Sequence, residues 1–479
     1  MDALGFLATV PPVSADPVEM RRVEHSRQRR RMLYGQHEAD LDRLLRQSVG
    51  NVRGEAWKPI DLSANPYLSI WSQLAVLYSV APEVAAAAQE VADALRLGGY
   101  WQLMQRVQRD TLAIREMLIR MDATPDGRIV ARPVYPDMVE AGCIAADPAS
   151  PVVVREWMHD PARGWLRYIT DIRDPAMPLY QVLTARGEDI TAEVLGADYS
   201  GEAYPYRRLD GSPVLPYVLY HAASTGCLFD PYTMREVVEG SLMLGVYLTF
   251  FGHILRDASW PQRYAFGVDV DGADTVDVDG NVTAARREVV TDPATLVTGQ
   301  QSATSPGQPL VGQWQSSADP ERVLTSIAMY ERRVLTLAGV QAPDVTRMEA
   351  DIRSGYSLAV SRESAREAQR VYEPQFRRGD EQALALAACL LNGATGSAYP
   401  DSPADYRVAY RSLPLSPAER SAQVAELQAR VDAGLLGPVS AYMELHPGTP
   451  YTEAVERVAS ARTESLDIEA AIARRRGAA

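Results

Sequence analysis

Two long helical sequences decide the fold: PYTMREVVEGSLMLGVYLTFFGHILRDA at residues 231–258 and SADPERVLTSIAMYERRVLTLA at residues 317–338. In the second, apolar side chains recur at three- and four-residue steps, the spacing of one face of an amphipathic helix. The Asp-Pro-Glu sequence at 319–321 is typical of a helix N-terminus. A segment that lies between two such helices would be held at the tip of a helical hairpin.

The segment between the two helices, residues 259–316, has the pattern of short strands. Valines alternate with acidic residues, which is the period of a half-exposed strand. The acidic positions are Asp269, Asp271, Asp277 and Asp279. Asp-Gly pairs at 271–272 and 279–280 are typical of hairpin turns. We therefore predict a small β-rich module here.

The rest of the chain predicts further helices and an antiparallel sheet. An alanine-rich helix is predicted from Pro82 to about Leu97, and another from about Tyr100 to Met121. Residues 128–222 carry short apolar runs between prolines, glycines and aspartates, a pattern that predicts strands. Further helices are predicted at 354–391 with a kink at Pro374, at 416–433, at 439–445 and in the charged C-terminal tail. The predicted fold class is therefore α+β.

The composition excludes several classes of function. The chain has 479 residues and a formal net charge of −14, so a basic groove that holds nucleic-acid backbone tightly is not expected. Lys58 is the one lysine and Pro59 follows it, so the chain lacks the Gly-Lys-Ser/Thr sequence of a P-loop ATPase. The three cysteines, widely spaced and odd in number, predict neither a disulfide framework nor a cysteine metal site.

Nothing in the sequence predicts a membrane protein. The longest apolar run, residues 241–255, is 15 residues long, and a membrane-spanning helix needs about 20. No apolar signal-peptide segment follows the basic residues 21–31. We expect a helix that is buried in the fold or packed in an oligomer.

No metal or cofactor site is expected. The six histidines form no HExxH frame, and no CxxC pair exists. Residues 277–288 place oxygen ligands at the first, third, fifth, seventh and twelfth positions of a calcium loop. Val282 occupies the position where such a loop needs glycine, so an acidic hairpin is the favoured interpretation and a calcium loop the alternative.

No catalytic motif stands out, and we expect the protein not to be an enzyme. The sequence contains no GxSxG nucleophile elbow. Carboxylates are plentiful in the 128–222 region, but no pair of them is distinguished from a solvated surface.

Four arginines near the end of the second long helix have two interpretations. Arg332 and Arg333 lie late on the helix, while Arg347 and Arg353 flank the break that follows. They either cap the helix and form ion pairs, or make weak, sequence-independent contacts with phosphates.

The order of these elements resembles that of tailed-bacteriophage portal (head-to-tail connector) proteins. The segment RSGYSLA at 353–359 looks like the one that opens the kinked helix of many portals. The segments LPLSPAER at 413–420 and VDAGLLGPVS at 431–440 look like the portal C-terminal run. The apolar strand at 214–218 before the first long helix also fits, and the resemblance covers residues 214–460.

The resemblance implies a portal-type subunit with named parts. It implies an α+β wing, a two-helix stem, a β-rich clip between the stem helices, a channel (tunnel) loop, and an α-helical crown. The implied boundaries are wing 1–230, stem helix 1 at 231–258, clip 259–316, stem helix 2 at 317–338, channel loop 339–353, wing kinked helix and strand 354–412, and crown 413–479.

The resemblance also implies a function and partners. Twelve copies would form a ring at one capsid vertex of the virion, assembled in the host cytoplasm, and double-stranded DNA would pass through its channel without sequence specificity. Its partners would be the terminase large subunit, the head-tail adaptor, and the major capsid and scaffolding proteins. The residues expected along the DNA channel are Arg332, Arg333, Arg347, Met348 and Arg353. Those expected on the clip surface that faces motor and adaptor are Asp269, Asp271, Asp277, Asp279, Arg286 and Arg287.

Two alternatives stay open from the sequence. One is an enzyme of unrecognised type that uses carboxylates in the 128–222 region, which predicts a monomer or small oligomer. The other is a capsid scaffold or adaptor protein that never contacts DNA, which predicts a ring or filament without a duplex-wide channel.

Overall fold

The computed structural model describes residues 13–49, 58–124, 126–195, 204–259, 318–340, 355–411, 417–446 and 450–477, and six short strands between 262 and 314. For those six strands, and for 355–365, 417–419, 422 and 465–477, it describes the backbone alone. The chain forms two compact units. The first contains residues up to 340 together with 368–411, and the second contains 341–367 together with 412–479.

Twelve α-helices lie in the described residues. They are α1 (Pro17–Leu33), α2 (Glu38–Val49), α3 (Pro66–Leu74), α4 (Gln89–Leu97), α5 (Tyr100–Ile114), α6 (Thr191–Leu195), α7 (Arg235–Ser259), α8 (Pro320–Leu337), α9 (Gly355–Thr395), α10 (Pro417–Asp432), α11 (Pro438–Leu445) and α12 (Tyr451–Gly477). The last three belong to the second unit.

Fifteen strands lie in the same described residues. They are β1 (Glu83–Ala86), β2 (Glu116–Ala123), β3 (Ile129–Val134), β4 (Val139–Gly142), β5 (Val153–Asp160), β6 (Gly164–Asp171), β7 (Leu179–Thr184), β8 (Tyr217–His221), β9 (Gln262–Phe266), β10 (Val268–Val270), β11 (Thr275–Val276), β12 (Val282–Thr283), β13 (Gly299–Gln301), β14 (Leu310–Trp314) and β15 (Tyr406–Ala409).

Two antiparallel sheets organise the first unit. One has three strands in the order β3-β2-β8, and the other has four in the order β4-β5-β6-β7. Strand β2 is central and six of its eight residues are buried. The run of apolar residues at its start therefore reflects burial on both faces.

The main core joins these strands to helices α3, α5, α7 and α9. Trp71 and Tyr67 of α3 are fully buried, as are Phe376 and the alanines at 383, 387 and 388 on α9. Small alanine side chains allow a helix to approach its neighbours closely, and interiors pack at crystal-like density. The alanine-rich end of α9 is thus a core helix.

Two predicted helices are wrong in part. The segment predicted as a helix from Pro82 begins as strand β1, which pairs antiparallel with β15 before α4 starts at Gln89. The helix predicted to continue to Met121 ends at Ile114, and residues 116–123 form the central strand β2. In both places, strand pairing overrides the local helical pattern, because burial and cross-strand contacts outweigh propensity.

The first and last strands of the β-rich module between the long helices pair with each other. Strand β9 pairs antiparallel with β14 over five residues, from Gln262↔Trp314 to Phe266↔Leu310. Strand β10, which carries Asp269, pairs with β13, and β11 pairs with β12. The other clip residues of the sequence analysis, Asp271, Asp277, Asp279, Arg286 and Arg287, lie outside the described residues, as does most of the alternative calcium loop.

Candidate functional site: the long helix pair and its joint

Helices α7 and α8 form a closely packed antiparallel pair. Gly240 faces Val334, and Tyr247 meets Tyr330 edge-on with ring centroids 5.2 Å apart, so the contacts run in opposite order along the two helices. A Cβ atom on Gly240 would lie 2.8 Å from Val334 Cγ2. The close approach of the helices therefore requires glycine at 240.

We expect Gly240→Ala to destabilise the helix pair by about 1–3 kcal/mol, because the new methyl group would overlap the stiff, buried Val334. Gly252 on the same helix is the matched control, because a Cβ there meets nothing within 4 Å. Gly252→Ala should instead raise stability by up to about 1 kcal/mol through helix propensity. Thermal unfolding of the two variants measures whether each substitution lowers or raises stability. An equal loss of stability in both would contradict the close contact between Gly240 and Val334.

The outer surface of α8 carries three exposed apolar side chains. Ile327 and Val334 are its buried residues, while Leu324, Met329 and Leu337 are 49, 67 and 46% exposed. The buried line of α8 is the line along the helix surface through Ile327 and Val334. At about 100° per residue, Leu324 and Leu337 project on opposite sides of it. Each of these side chains is available for contact with another protein. The helix thus offers two different apolar flanks.

The structure describes two of the predicted channel residues. Arg332 and Arg333 are exposed on α8, and at about 100° per residue Arg332 lies almost opposite the buried line. Neither forms an ion pair with a described residue, so the ion-pair interpretation finds no support in that part of the chain. Arg347, Met348 and Arg353 lie outside the described residues.

The turn at residues 230–234, called the joint below, precedes α7 and has a strained backbone. Tyr232 and Met234 have φ angles of +67° and +57°, a left-handed conformation that costs free energy for residues other than glycine. The Asp230 carboxylate fixes this turn by accepting from the Thr233 N–H at 2.7 Å and the Thr233 hydroxyl at 2.5 Å. The helix therefore begins at Arg235, later than the sequence predicts.

Arg29 of α1 holds the joint in place. Its guanidinium donates to the Ile114 carbonyl at 3.0 Å and to Asp230 at 3.3 Å, and it also donates to the Thr233 carbonyl. Glu116 accepts from the Asp230 backbone N–H at 3.0 Å. Burial, reinforced by the nearby Asp230 charge, raises the pKa of Glu116 to about 7. The sequence does not single out Arg29, because an arginine in an Arg-rich segment resembles a surface residue.

Helix α9 carries a buried carboxylate. Asp380 is fully buried and accepts hydrogen bonds from three tyrosine hydroxyls: Tyr78 at 2.8 Å, Tyr220 at 2.7 Å and Tyr410 at 2.5 Å. Desolvation raises its pKa to about 7, while these hydrogen bonds act in the opposite direction. The three tyrosines come from distant parts of the chain, so Asp380 ties those parts together. Sequence reasoning also missed this residue.

Several carboxylates of the 128–222 region form ion pairs with arginines. Asp137 pairs with Arg30, and Glu156 pairs with Arg132. Glu140 pairs with two further arginines, Arg155 and Arg167. Such pairs neutralise the charge of the acidic groups. The geometry of these described pairs gives the enzyme alternative no particular site.

The described residues contain no cluster of three or more His, Cys, Asp or Glu side chains that could hold a metal ion. Among them, helix α7 is long and apolar enough to cross a membrane by length and composition. Half of its most apolar window is buried inside the protein, and core helices pass the same test.

Comparisons with known proteins give structural likenesses only. No protein-family model matches the chain, and no curated protein matches it. A chain from the virion of a native gene transfer agent (GTA) particle has a TM-score of 0.40 and 15% identity, covering 85% of this chain and 99% of that one. A chain from the neck of the native particle, computed with C12 symmetry, has a TM-score of 0.40 and 15% identity over 81% and 90%. A chain from the neck of the empty particle, computed with C6 symmetry, has a TM-score of 0.41 and 15% identity over 85% and 99%.

Proposed function

We propose that this chain is the portal subunit of a tailed-phage-like particle. In this proposal, about twelve copies form a ring at one capsid vertex, and double-stranded DNA is packaged and ejected through the central channel. The subunit supplies geometry and no catalysis. Helices α7 and α8 form the stem, the β-rich module between them forms the clip, and residues 339–353 form the channel loop.

The helix pair is the observation that carries the proposal. A ring made by rotation uses heterologous contacts, in which each subunit presents two different surfaces to its two neighbours. Leu324 and Leu337 project on opposite sides of the buried line of α8, and both are about half exposed. Neighbouring copies packed on both flanks would bury them. The sequence resemblance in residues 353–359 and 413–440 supports the same interpretation.

The charge of the chain suits passage of DNA better than retention. Each retained phosphate contact would slow movement of the duplex, and the strength of binding grows with the number of such contacts. With a net charge of −14 per chain, a twelve-membered ring would carry about −168. Arg332 and Arg333, exposed on the outer side of α8, would supply weak contacts that keep the duplex centred.

The proposed partners follow from the parts of the ring. The β-rich module would dock the terminase large subunit during packaging and the head-tail adaptor afterwards. The major capsid and scaffolding proteins would contact the rest of the ring, which would be assembled in the host cytoplasm and retained in the virion.

The mass and shape of the purified protein test this function. Twelve copies of the 52.6 kDa chain would have a mass of about 630 kDa, and negative-stain images should show a central channel wider than the roughly 20 Å of a duplex. A thirteen-subunit ring formed outside a capsid would also support the proposal. A stable monomer would overturn it, and a ring with a closed channel would favour the scaffold or adaptor alternative.

We further expect Leu324→Asp to prevent ring formation while the subunit stays folded, because a charge would replace an apolar contact between copies. Leu97→Asp is the matched control, because Leu97 is 74% exposed at the end of α4, away from the helix pair. Native mass measurement should show small species for Leu324→Asp and full rings for Leu97→Asp. Full rings in both variants would mean that the Leu324 side of α8 is not part of the contact between subunits.

A further inference from the structure

Strand β8 leaves one edge of its sheet free. It is the outer strand in the order β3-β2-β8. Hydrogen bonds from the Met121 N–H to the Pro216 carbonyl and from the Ala222 N–H to the Arg115 carbonyl fix its register with β2. In an antiparallel pair, alternate residues point their backbone groups away from the partner strand. The N–H and C=O of Leu219 therefore face outward, and no residue in the described part of the chain bonds to them.

A groove of about 290 Å³ runs along this free edge. Leu219 and His221 of β8 line one wall, and Gln375, Arg378 and Gln382 of α9 line the other. The groove belongs entirely to the first unit. Free strand edges are templates for pairing with another chain, and natural proteins cover or disrupt those that have no partner. The polar side chains of α9 that line the groove would lie beside an added strand.

The lining of the groove carries positive charge. Arg208 and Arg378 line it, and neither forms an ion pair with a described residue. No aspartate or glutamate belongs to the described lining. Burial and the nearby Arg378 charge lower the pKa of His221, so the charge comes from the two arginines. An extended segment with acidic side chains would complement this surface.

We propose that this groove docks an extended, acidic segment of a partner protein, which adds to β8 as a fourth strand of the β3-β2-β8 sheet. Backbone hydrogen bonds to Leu219 and His221 would supply affinity, and Arg378 would select acidic side chains, as in other cases of strand addition. The site lies away from the α7–α8 pair, and the proposal holds whether or not the chain forms a ring.

Cys227 offers a direct test, because it lines the groove and is exposed. The full chain with Cys143→Ser leaves Cys227 as the exposed thiol, since Cys389 is buried. The probe is a capped heptapeptide in which valine and glutamate alternate. If it docks, maleimide labelling of Cys227 slows by a factor of one plus the ratio of peptide concentration to Kd, or about tenfold at ten times Kd.

Matched variants separate strand addition from other causes. Arg378→Glu should abolish the protection, while Arg370→Glu, an exposed arginine of the same helix outside the groove lining, should keep it. A lysine-for-glutamate peptide, and one with a central proline that lacks an N–H, should both fail to protect. Equal protection by the lysine peptide would overturn the charge preference, and equal protection by the proline peptide would overturn strand addition. No protection by the glutamate peptide at its solubility limit would overturn the whole proposal.

Discussion

Asp380→Ala is expected to destabilise the first unit by about 3–5 kcal/mol. The substitution removes the common acceptor of three buried tyrosine hydroxyls, those of Tyr78, Tyr220 and Tyr410. A buried donor that loses its partner costs about 1–3 kcal/mol, and the cavity left behind adds to the loss. Because the tyrosines join α9 to segments far apart in sequence, the loss should spread through the core.

Asp380→Asn separates hydrogen bonding from charge. The amide keeps one oxygen acceptor in nearly the same place, so its loss of stability should be less than half that of the alanine variant. Thermal unfolding at one protein concentration, with subunit assembly checked for each variant, measures both losses. If alanine and asparagine destabilise equally, the hydrogen bonds to Asp380 are not what stabilises this part of the core.

The raised pKa of Asp380 determines how the free energy of unfolding depends on pH. The pKa of Asp380 is raised from 3.8 to about 7 in the folded protein. Between pH 3.8 and about 7, the folded state therefore binds a proton that the unfolded state has lost. The associated stability is present below pH 3.8 and is lost as pH rises through about 7. Asp380→Asn should therefore flatten the decline of stability between pH 4 and 7. Glu116, whose pKa is also raised to about 7, should leave a residual slope of the same sign.

The second large effect is expected at Arg29. Arg29→Ala should cost about 3–5 kcal/mol, because it leaves the buried Asp230 carboxylate without its cation and two carbonyls without a donor. The left-handed residues Tyr232 and Met234 would then lose the contacts that hold them. We expect the joint to α7 to open locally, in addition to the loss of global stability.

Arg27→Ala on the same helix is the matched control. Arg27 is partly exposed, and its guanidinium lies 3.8 Å from the Asp137 carboxylate, so its removal should cost less than about 1 kcal/mol. Hydrogen exchange at the Val237 and Val238 amides, which donate to the Met234 carbonyl, reports opening of the joint. Faster exchange in Arg29→Ala but not in Arg27→Ala is the expected result. Unchanged exchange in both variants would mean that the turn keeps its conformation without Arg29.

Several elements could be predicted from the sequence because their signals are local. Asp319 caps α8 through the Glu321 N–H, with Pro320 in the first turn, as the Asp-Pro-Glu sequence predicts. Proline 374 lies inside α9, as predicted. The short apolar runs of residues 128–222 predict strands, and β3 to β8 lie in that region. Each of these signals acts through neighbours in sequence.

The misplaced elements depend on partners that are distant in sequence. Strand β1 exists because residues 83–86 pair with 406–409, more than 300 positions away. The helix before β2 ends at Ile114, and Arg115 after it adopts a φ of +87° although nothing local requires it. Arg29 and Asp380 escaped notice for a related reason. Whether an arginine or an aspartate is buried depends on which segments pack around it, and the sequence alone contains no such contact.

The ladder between β9 and β14 has a consequence for evolution. Because paired strands lie about 4.8 Å apart, the inserted module leaves the first long helix and returns to the second through adjacent points. A different module with the same two ends could replace it without moving either helix. The inserted module can therefore diversify in sequence while the pair formed by α7 and α8 stays constant.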